Sequence, residues 1–245
     1  SVDYEITVPA SMSLNLEGMY ATIDVTGVRG AITANTLEGD ITVNGPAESV
    51  KLESVQGRIV VQGIRGATSL NTVSEGIEAS DIQGDITAET VSGSILLRRI
   101  EAKSVEAETV SGEILLDGRL LDGGSYSLLS HSGSLAVSVP EGSNATIATA
   151  VGSGDVRASF PLPASERPGR RRQTFRLGNG SALVELEAFS GSILLLRPAE
   201  MAERLDRLGR MRDDEDRKAK AKPKPEENLD HDTDHDRHAT DHQGS

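Results

Sequence analysis

The sequence predicts an all-β fold: a parallel β-solenoid (β-helix) of about nine coils with 18–21 residues per coil, plus a C-terminal helix and a disordered tail. Three observations predict it: an 18-residue repeat, apolar residues spaced as in strands, and a scarcity of aromatic residues. The repeat is clearest in five consecutive blocks, residues 28–45, 46–63, 64–81, 82–99 and 100–118. A short fixed period indicates units that bury their apolar faces only against their neighbours.

Three columns of apolar residues align when these blocks are stacked. The first column contains Ile41, Ile59, Ile77, Ile95 and Ile114, and the second contains Val43, Val61, Ala79, Leu97 and Leu116. The third contains Leu37, Val55, Val73, Val91 and Val110, beside a hydroxyl column of Thr36, Ser54, Thr72, Thr90 and Thr109. We expect all three apolar columns to face the interior.

The spacing within a block is that of short strands. Apolar residues follow one another at steps of four, two and three residues, so the half-repeat is nine residues long. A two-residue step such as Ile41 to Val43 places both side chains on one face of a strand. Glycines before the strands suit sharp bends: Gly30, Gly39, Gly57, Gly66, Gly84, Gly93 and Gly112. We expect successive coils to pair in parallel, about 4.8 Å apart.

The same pattern extends over residues 10–197, which corresponds to a rod roughly 40 Å long. It resumes at Val184 after an insertion. A hexapeptide left-handed helix requires a regular six-residue step, which is absent here. A calcium-binding β-roll requires an acid at a fixed offset, and Arg58 and Ser94 occupy that column in this chain.

Composition narrows the function classes. The chain of 245 residues has no Trp, no Cys, three Phe and three Tyr, which argues against carbohydrate-stacking platforms and base-stacking surfaces. A net charge of −13 repels nucleic acid and anionic lipid. Without Cys there is no disulfide, thiol nucleophile or cysteine zinc site. No apolar stretch approaches the length of a transmembrane segment. Because residue 1 is Ser rather than Met, we expect a processed or trimmed chain from which any signal peptide has been removed.

An Arg-rich inserted loop, residues 161–178, interrupts the solenoid of residues 1–198. Its arginines are Arg167, Arg170, Arg171, Arg172 and Arg176. One interpretation is an anion-binding patch, since a guanidinium binds phosphate or carboxylate through two hydrogen bonds. The alternative is a solvated loop that balances the charge of an acidic body.

Residues 199–217 predict an amphipathic capping helix. Met201, Leu205, Leu208 and Met211 recur at helical steps, and Pro198 suits the first helical position. We expect this helix to cap the C-terminal coils or to pack on three outward leucines, Leu96, Leu115 and Leu194. The alternative is a helix lying on a membrane surface.

Residues 218–245 predict a disordered charged tail. Its histidines, His231, His235, His238 and His242, alternate with aspartates. Such a tract can chelate zinc, nickel or copper weakly, because no scaffold fixes its geometry. The alternative is a solvating tail whose histidines are incidental. We expect no cofactor elsewhere in the chain.

No constellation in the solenoid predicts catalysis. The outward ladders Asn35, Glu53, Asn71, Glu89, Glu108 and Thr33, Lys51, Ser69, Thr87, Glu106 have the mixed character of solvated strand faces. His131 takes the place of Val91 in the third column, where we expect a corner residue rather than a base. No nucleophile elbow, P-loop, HExxH or dinucleotide fingerprint is present, so we predict a protein that is not an enzyme.

Recurring phrases carry a family resemblance. TVSGSI from Thr90 and TVSGEI from Thr109, with LEGDI from Leu37 and IQGDI from Ile82, resemble the bacterial adhesin-like β-helix domains, a family of unknown function. The resemblance covers about residues 4–197. It implies an envelope-associated or exported protein that is not an enzyme, and the family has no known catalytic residues to be sought in this chain.

We therefore predict a non-catalytic β-solenoid of the bacterial cell envelope, periplasmic or at the cell surface, that interacts with an unknown partner. An envelope glycan, a protein or an anionic headgroup are the candidate partners, and we expect a monomer or weak oligomer. The first alternative is a cytoplasmic, bactofilin-like scaffold that assembles end to end. The second is a polysaccharide-active β-helix enzyme.

Overall fold

The computed structural model describes residues 3–166 and 171–221, with residues 211–221 described by their backbone. The chain divides into two compact units, Ser1–Arg207 and Leu208–Ser245. The described strands are β1 (Leu14–Tyr20), β2 (Ile23–Thr26), β3 (Ala31–Glu38), β4 (Ile41–Asn44), β5 (Ser49–Gln56), β6 (Ile59–Gln62), β7 (Ala67–Thr72), β8 (Ile77–Ser80), β9 (Ile86–Ser92), β10 (Ile95–Ile100), β11 (Ser104–Ser111), β12 (Ile114–Gly118), β13 (Ser125–Ser132), β14 (Leu135–Ser138), β15 (Ala145–Ser153), β16 (Val156–Ala158), β17 (Arg172–Leu177), β18 (Ala182–Ser190) and β19 (Ile193–Leu196). One helix, α1 (Pro198–Ala221), follows them.

Two sheets, parallel except for the edge strand β17, form the solenoid. The first sheet has the strand order β1-β3-β5-β7-β9-β11-β13-β18-β15-β17, and the second has the order β16-β19-β14-β12-β10-β8-β6-β4-β2. Each coil gives one longer strand to the first sheet and one shorter strand to the second. The 18-residue repeat is the pairing register itself, since Leu14 pairs with Ile32 and Ile41 pairs with Ile59. The predicted all-β solenoid is confirmed.

The core lies between the two sheets, and the first two predicted columns line it. Every member of the Ile41 column is 0% exposed, and the members of the Val43 column are nearly as deeply buried. Small residues such as Ala34 and Ala88 alternate with branched ones across the narrow interior. A two-sheet interior of this width is filled by aliphatic side chains, which explains why the chain needs few aromatic residues.

The third predicted column does not lie in the core; it lies outside. Leu37, Val55, Val73, Val91 and Val110 are between 39% and 48% exposed, whereas the hydroxyl column beside them is buried. The reason is the bend that follows each long strand, where carbonyl oxygens turn inward and need donors. Thr72 Oγ1 donates to the Gly57 carbonyl at 3.0 Å, and Thr90 Oγ1 donates to the Glu75 carbonyl at 3.0 Å. An aliphatic side chain at that position would leave the carbonyl unpaired, so strand alternation turns the valines outward.

The order of the last coils also differs from the expected succession. The coil of β18 and β19 lies between the coil of β13 and β14 and the coil of β15 and β16. Val184 accordingly pairs with Tyr126 on one side and with Ile147 on the other. Strand β17 then covers the outer edge of β15 in the antiparallel sense. Because every coil presents the same apolar columns, the repeat shows which residues form a coil but not which coil is its neighbour.

Helix α1 runs from Pro198 to Ala221, whereas the sequence predicts a helix over residues 199–217. The backbone N–H of Arg197 donates to Glu200 Oε2 at 3.2 Å, so the acid in the first turn closes the N-terminus as in a capping box. Proline at the first helical position costs no hydrogen bond, because that N–H has no partner within the helix.

Candidate functional site

A groove runs along the outer face of the first sheet where β15 lies between β18 and β17. It forms because the outward residues of β15 are small, namely Ala148, Ala150 and Gly152. Its neighbours carry longer side chains, with Glu185, Glu187 and Phe189 on β18 and Arg172 and Thr174 on β17. The strand pairing sets these residues side by side: Ala148 lies between Glu185 and Thr174, and Ala150 lies between Glu187 and Arg172.

Two adjoining cavities occupy this groove. The first measures about 370 Å³ and lies towards the bend of the coil, beside Phe189 and His131. The second measures about 470 Å³ and extends along the strands past Ser127, Gln173 and Thr174. Four residues line both cavities, so they form one continuous surface: Leu129, Ala150, Arg172 and Glu187.

Phe189 is the exposed aromatic ring of the groove. It occupies the same outward position as the valines of the third column, and it is 64% exposed. One face of its ring is stacked on the imidazole of His131, with the centroids 4.8 Å apart and the planes 6° from parallel. The next position of this ladder is Gly152, because the flanking residues pair Val151 with Ala188 and Ser153 with Ser190. Glycine has no side chain to cover the second face of the ring.

His131 therefore belongs to an outer ladder and not to the inward column that the sequence suggested. Its neighbour Ser130 is buried, and the Ser130 hydroxyl donates to the Gly112 carbonyl at 3.2 Å. The serine and the histidine face opposite sides of β13, as successive residues of a strand do. The imidazole of His131 covers the face of the Phe189 ring that points away from Gly152.

The walls of the groove carry opposite charges. Arg172 approaches Glu187 at 3.9 Å, and both side chains are largely exposed, at 84% and 53%. An ion pair this long and this solvated holds its partners weakly. Arg171 lines the first cavity, and its carbonyl accepts a hydrogen bond from the Val151 N–H at 2.7 Å. This backbone hydrogen bond holds the start of β17, with Arg171 and Arg172, beside Gly152.

Within the predicted Arg-rich loop, residues 161–178, Arg172–Leu177 form strand β17, which pairs with β15. Arg171 and Arg172 line the groove, whereas Arg176 lies farther along β17, with Glu166 4.0 Å away. Arg167 and Arg170 lie outside the described residues. The predicted anion-binding residues therefore include two that share a cavity with an exposed aromatic ring.

The outward leucines form a row on the second sheet. Leu96 pairs with Leu115, Leu115 with Ala136, and Ala136 with Leu194. Leu96, Leu115 and Ala136 are at most 2% exposed, although their neighbours in sequence fill the core. Ala136 extends the row that the sequence suggested.

The start of α1 lies over this row. Met201 and Leu205 are 0% and 2% exposed. Arg98 donates to the Leu205 carbonyl at 2.8 Å, and Arg204 pairs with Glu113 at 2.9 Å. These contacts join the helix to β10 and to the bend before β12, so the first turns of α1 cover the leucines.

The resolved pKa shifts belong to structural contacts. Hydrogen bonds from Arg99 lower the pKa of Asp81 and in turn raise the pKa of Arg99. Hydrogen bonds from Ser192 and Arg157 lower the pKa of Asp155. Burial raises the pKa of Tyr126, whose hydroxyl accepts from the Leu121 N–H at 2.7 Å and donates to the Ala102 carbonyl at 2.9 Å.

The acidic and amide ladders face outward, as the sequence predicts. Asn71 donates to Glu89 at 3.2 Å, and Lys51 pairs with Glu53 at 2.9 Å. Glu89 and Glu108 are adjacent across β9 and β11. Within residues 3–166 and 171–221, no group of three or more His, Asp or Glu side chains is arranged to hold a metal ion.

Two further predictions concern the end of the chain and the membrane. His231, His235, His238 and His242 lie outside the described residues. Of the part of the chain that the structure describes, no helix has the length and apolar character needed to cross a membrane.

Sequence reasoning missed Phe189, Ala148, Ala150 and Gly152. A signal was available, because Phe189 is the aromatic member of a column that is otherwise aliphatic in the regular blocks. The small residues of β15 gave no such signal, since their meaning depends on the long side chains of β17 and β18 beside them.

The geometry defines a repeat protein with a lateral groove: a β-solenoid whose core is aliphatic and whose groove places the exposed ring of Phe189 between arginines and carboxylates. The chain belongs to the Toastrack DUF4097 family, a domain of unknown function, whose model matches residues 3–195. No curated protein and no solved structure matches it.

Proposed function

We propose that this protein is a non-catalytic interaction module of the bacterial cell envelope, and that the groove over β15 holds its partner. The observation that carries the proposal is the meeting of Phe189, Arg171 and Arg172 around one cavity of about 370 Å³. Concave sites with an apolar wall and a few convergent polar groups are the usual form of a binding site. The phrases that resemble adhesin-like domains favour the envelope.

An anionic partner suits this groove. Arg171 and Arg172 offer paired donors to a carboxylate or phosphate. The remainder of the chain is acidic, with a net charge of −13, so anions would be repelled from most other faces and concentrated at the arginines.

Binding to acidic envelope polymers tests the proposal. We expect the full chain to bind at least one polymer of a panel of acidic cell-wall glycans and anionic-lipid vesicles, and the Arg171→Ala/Arg172→Ala variant to bind it at least tenfold more weakly. The matched control is Arg29→Ala/Arg119→Ala, which removes the same charge from exposed positions outside the groove. Equal weakening in both variants would assign the effect to net charge and contradict a specific site.

A self-assembling scaffold is the second candidate, favoured by the end of the first coil. Strands β1 and β2 are the edges of their sheets, and edge strands pair readily with another chain. A cavity of about 570 Å³ beside them is lined by apolar side chains, among them Tyr4, Ile6 and Leu16. Negative-stain microscopy separates the candidates, because filaments at micromolar concentration indicate the scaffold and short single particles indicate the interaction module. Turnover of an acidic polysaccharide would instead indicate an enzyme.

A further inference from the structure

We propose that the groove binds a sugar ring that carries a carboxylate, with the ring stacked on the second face of Phe189; this rests on the proposed function and names the chemical class of its partner. The class is a uronic acid residue within an oligosaccharide. The ring lies over Gly152, and the carboxylate pairs with the guanidinium groups of Arg171 and Arg172.

The spacing of the ladder favours a ring at this place. Parallel strands repeat every 4.8 Å or so, and His131 and Phe189 follow that repeat with centroids 4.8 Å apart and nearly parallel planes. One repeat farther, Gly152 leaves a space of the same width. A flat ligand placed there continues the stack, and the C–H groups on one face of a pyranose meet the negative face of the phenyl ring.

The charges favour a carboxylate on that ring. Arg171 and Arg172 line the same cavity as Phe189. The contact of Arg172 with Glu187 is long and exposed, so exchanging it for a ligand carboxylate costs little. Glu187 then remains free to accept hydrogen bonds from ligand hydroxyls.

The rest of the groove favours a saccharide over an isolated aromatic acid. The second cavity offers hydroxyl and carboxylate groups from Ser127, Thr174 and Glu185. Such groups exchange hydrogen bonds with the hydroxyls of neighbouring sugar residues. The scarcity of aromatic residues argues against a platform of several rings, but one ring is sufficient for one sugar residue.

Calorimetry with trigalacturonate tests the proposal, with maltotriose as the neutral probe and AMP as an anionic aromatic probe. We expect the full chain to bind trigalacturonate and to bind maltotriose at least tenfold more weakly. The Phe189→Leu variant keeps an apolar side chain but removes the ring, and we expect it to weaken binding about tenfold. The control variant Val91→Leu changes the same ladder position three coils away and should bind as the unmodified chain does.

A second variant guards against a folding defect at Phe189. Ala150→Leu fills the floor shared by both cavities, and we expect it to abolish trigalacturonate binding while the thermal unfolding curve stays unchanged. Unaltered affinity in Phe189→Leu or in Ala150→Leu would overturn the stacked sugar. Tighter binding of AMP, or no binding of trigalacturonate while an acidic polymer still binds through Arg171 and Arg172, would also overturn it and leave the proposed function standing.

Discussion

The substitution Met201→Asp should release the first turns of α1 from the second sheet. Met201 and Leu205 are almost completely buried, and burial of such side chains contributes about 1.5–3 kcal/mol each. These two side chains therefore contribute about 3–6 kcal/mol to the attachment, and the burial of Leu96 and Leu115 adds to it. An unpaired carboxylate buried at position 201 costs several kcal/mol and also forfeits the contribution of Met201. The cost is comparable to what Met201 and Leu205 contribute, so the first turns of the helix should detach rather than bury the charge.

Detachment uncovers the row of Leu96, Leu115 and Ala136 without disturbing the core between the sheets, to which none of the three belongs. We expect Met201→Asp to keep its β-sheet circular dichroism, to bind the dye ANS, and to unfold several degrees lower. Removal of residues 199–245 should have the same effects or cause aggregation.

The matched control is Ala202→Asp, which introduces the same charge at an exposed position of the same turn. It should leave both the dye fluorescence and the unfolding temperature unchanged. If Met201→Asp and Ala202→Asp gave the same melting curve without dye binding, the argument that α1 covers the leucines would be refuted.

Three other predictions concern the solenoid itself. Gly112→Ala should lower the free energy of unfolding, measured by chemical denaturation, by about 3 kcal/mol, because the added methyl overlaps the carbonyl oxygen of Gly93 in the preceding coil. Gly63→Ala has open space around it and a φ of 76°, so it should lower the free energy of unfolding by only about 1–2 kcal/mol. Thr72→Val removes the donor to the Gly57 carbonyl and should lower the free energy of unfolding by about 1–3 kcal/mol; an unchanged value would contradict the role given to the hydroxyl column. Tyr126→Phe should cost a similar amount at neutral pH. Burial raises the pKa of Tyr126 above its usual 10.0. The stabilisation by the Tyr126 hydroxyl is therefore fully present below pH 10.0 and is lost as the pH rises through the pKa of the folded chain. The difference in the free energy of unfolding between the unmodified chain and Tyr126→Phe should accordingly shrink in a denaturation series at alkaline pH.

The fold could be read from the sequence because the repeat is also the pairing register. Ile41 and Ile59 are 18 residues apart in the chain and adjacent in the sheet. The position of Leu37 could not be read in the same way. Its apolar character favours the interior, but the alternation that buries Ala34 and Thr36 places Leu37 outside, and the carbonyls at the bend need the hydroxyl of Thr36. Hydrogen-bonding demand outweighed hydrophobicity at that column.

The groove could not be predicted because it depends on the order of the coils. Ala150 forms the floor of a groove only because the longer side chains of Glu187 and Arg172 lie on either side of it. That arrangement requires β18 to enter between β13 and β15, and nothing in the periodicity distinguishes this order from simple succession. Arg171 and Arg172 could be identified as candidates from their charge alone, whereas Phe189 was not singled out.

The outer ladder has positions at which the proposed binding residues can differ between coils without loss of stability. Its position carries Val91, then Val110, then His131, then Phe189 and finally Gly152 along the first sheet. A column outside the core is free to change in size and chemistry, since little area is removed from water there. We therefore expect Phe189→Val, at a position that is 64% exposed, to change the free energy of unfolding by no more than the contribution of its stack on His131, about 0.5–1.5 kcal/mol, while it removes the ring from the groove. A larger loss of stability would show that Phe189 contributes mainly to packing. It would contradict the argument that the outer column of the groove is separate from the columns that stabilise the core.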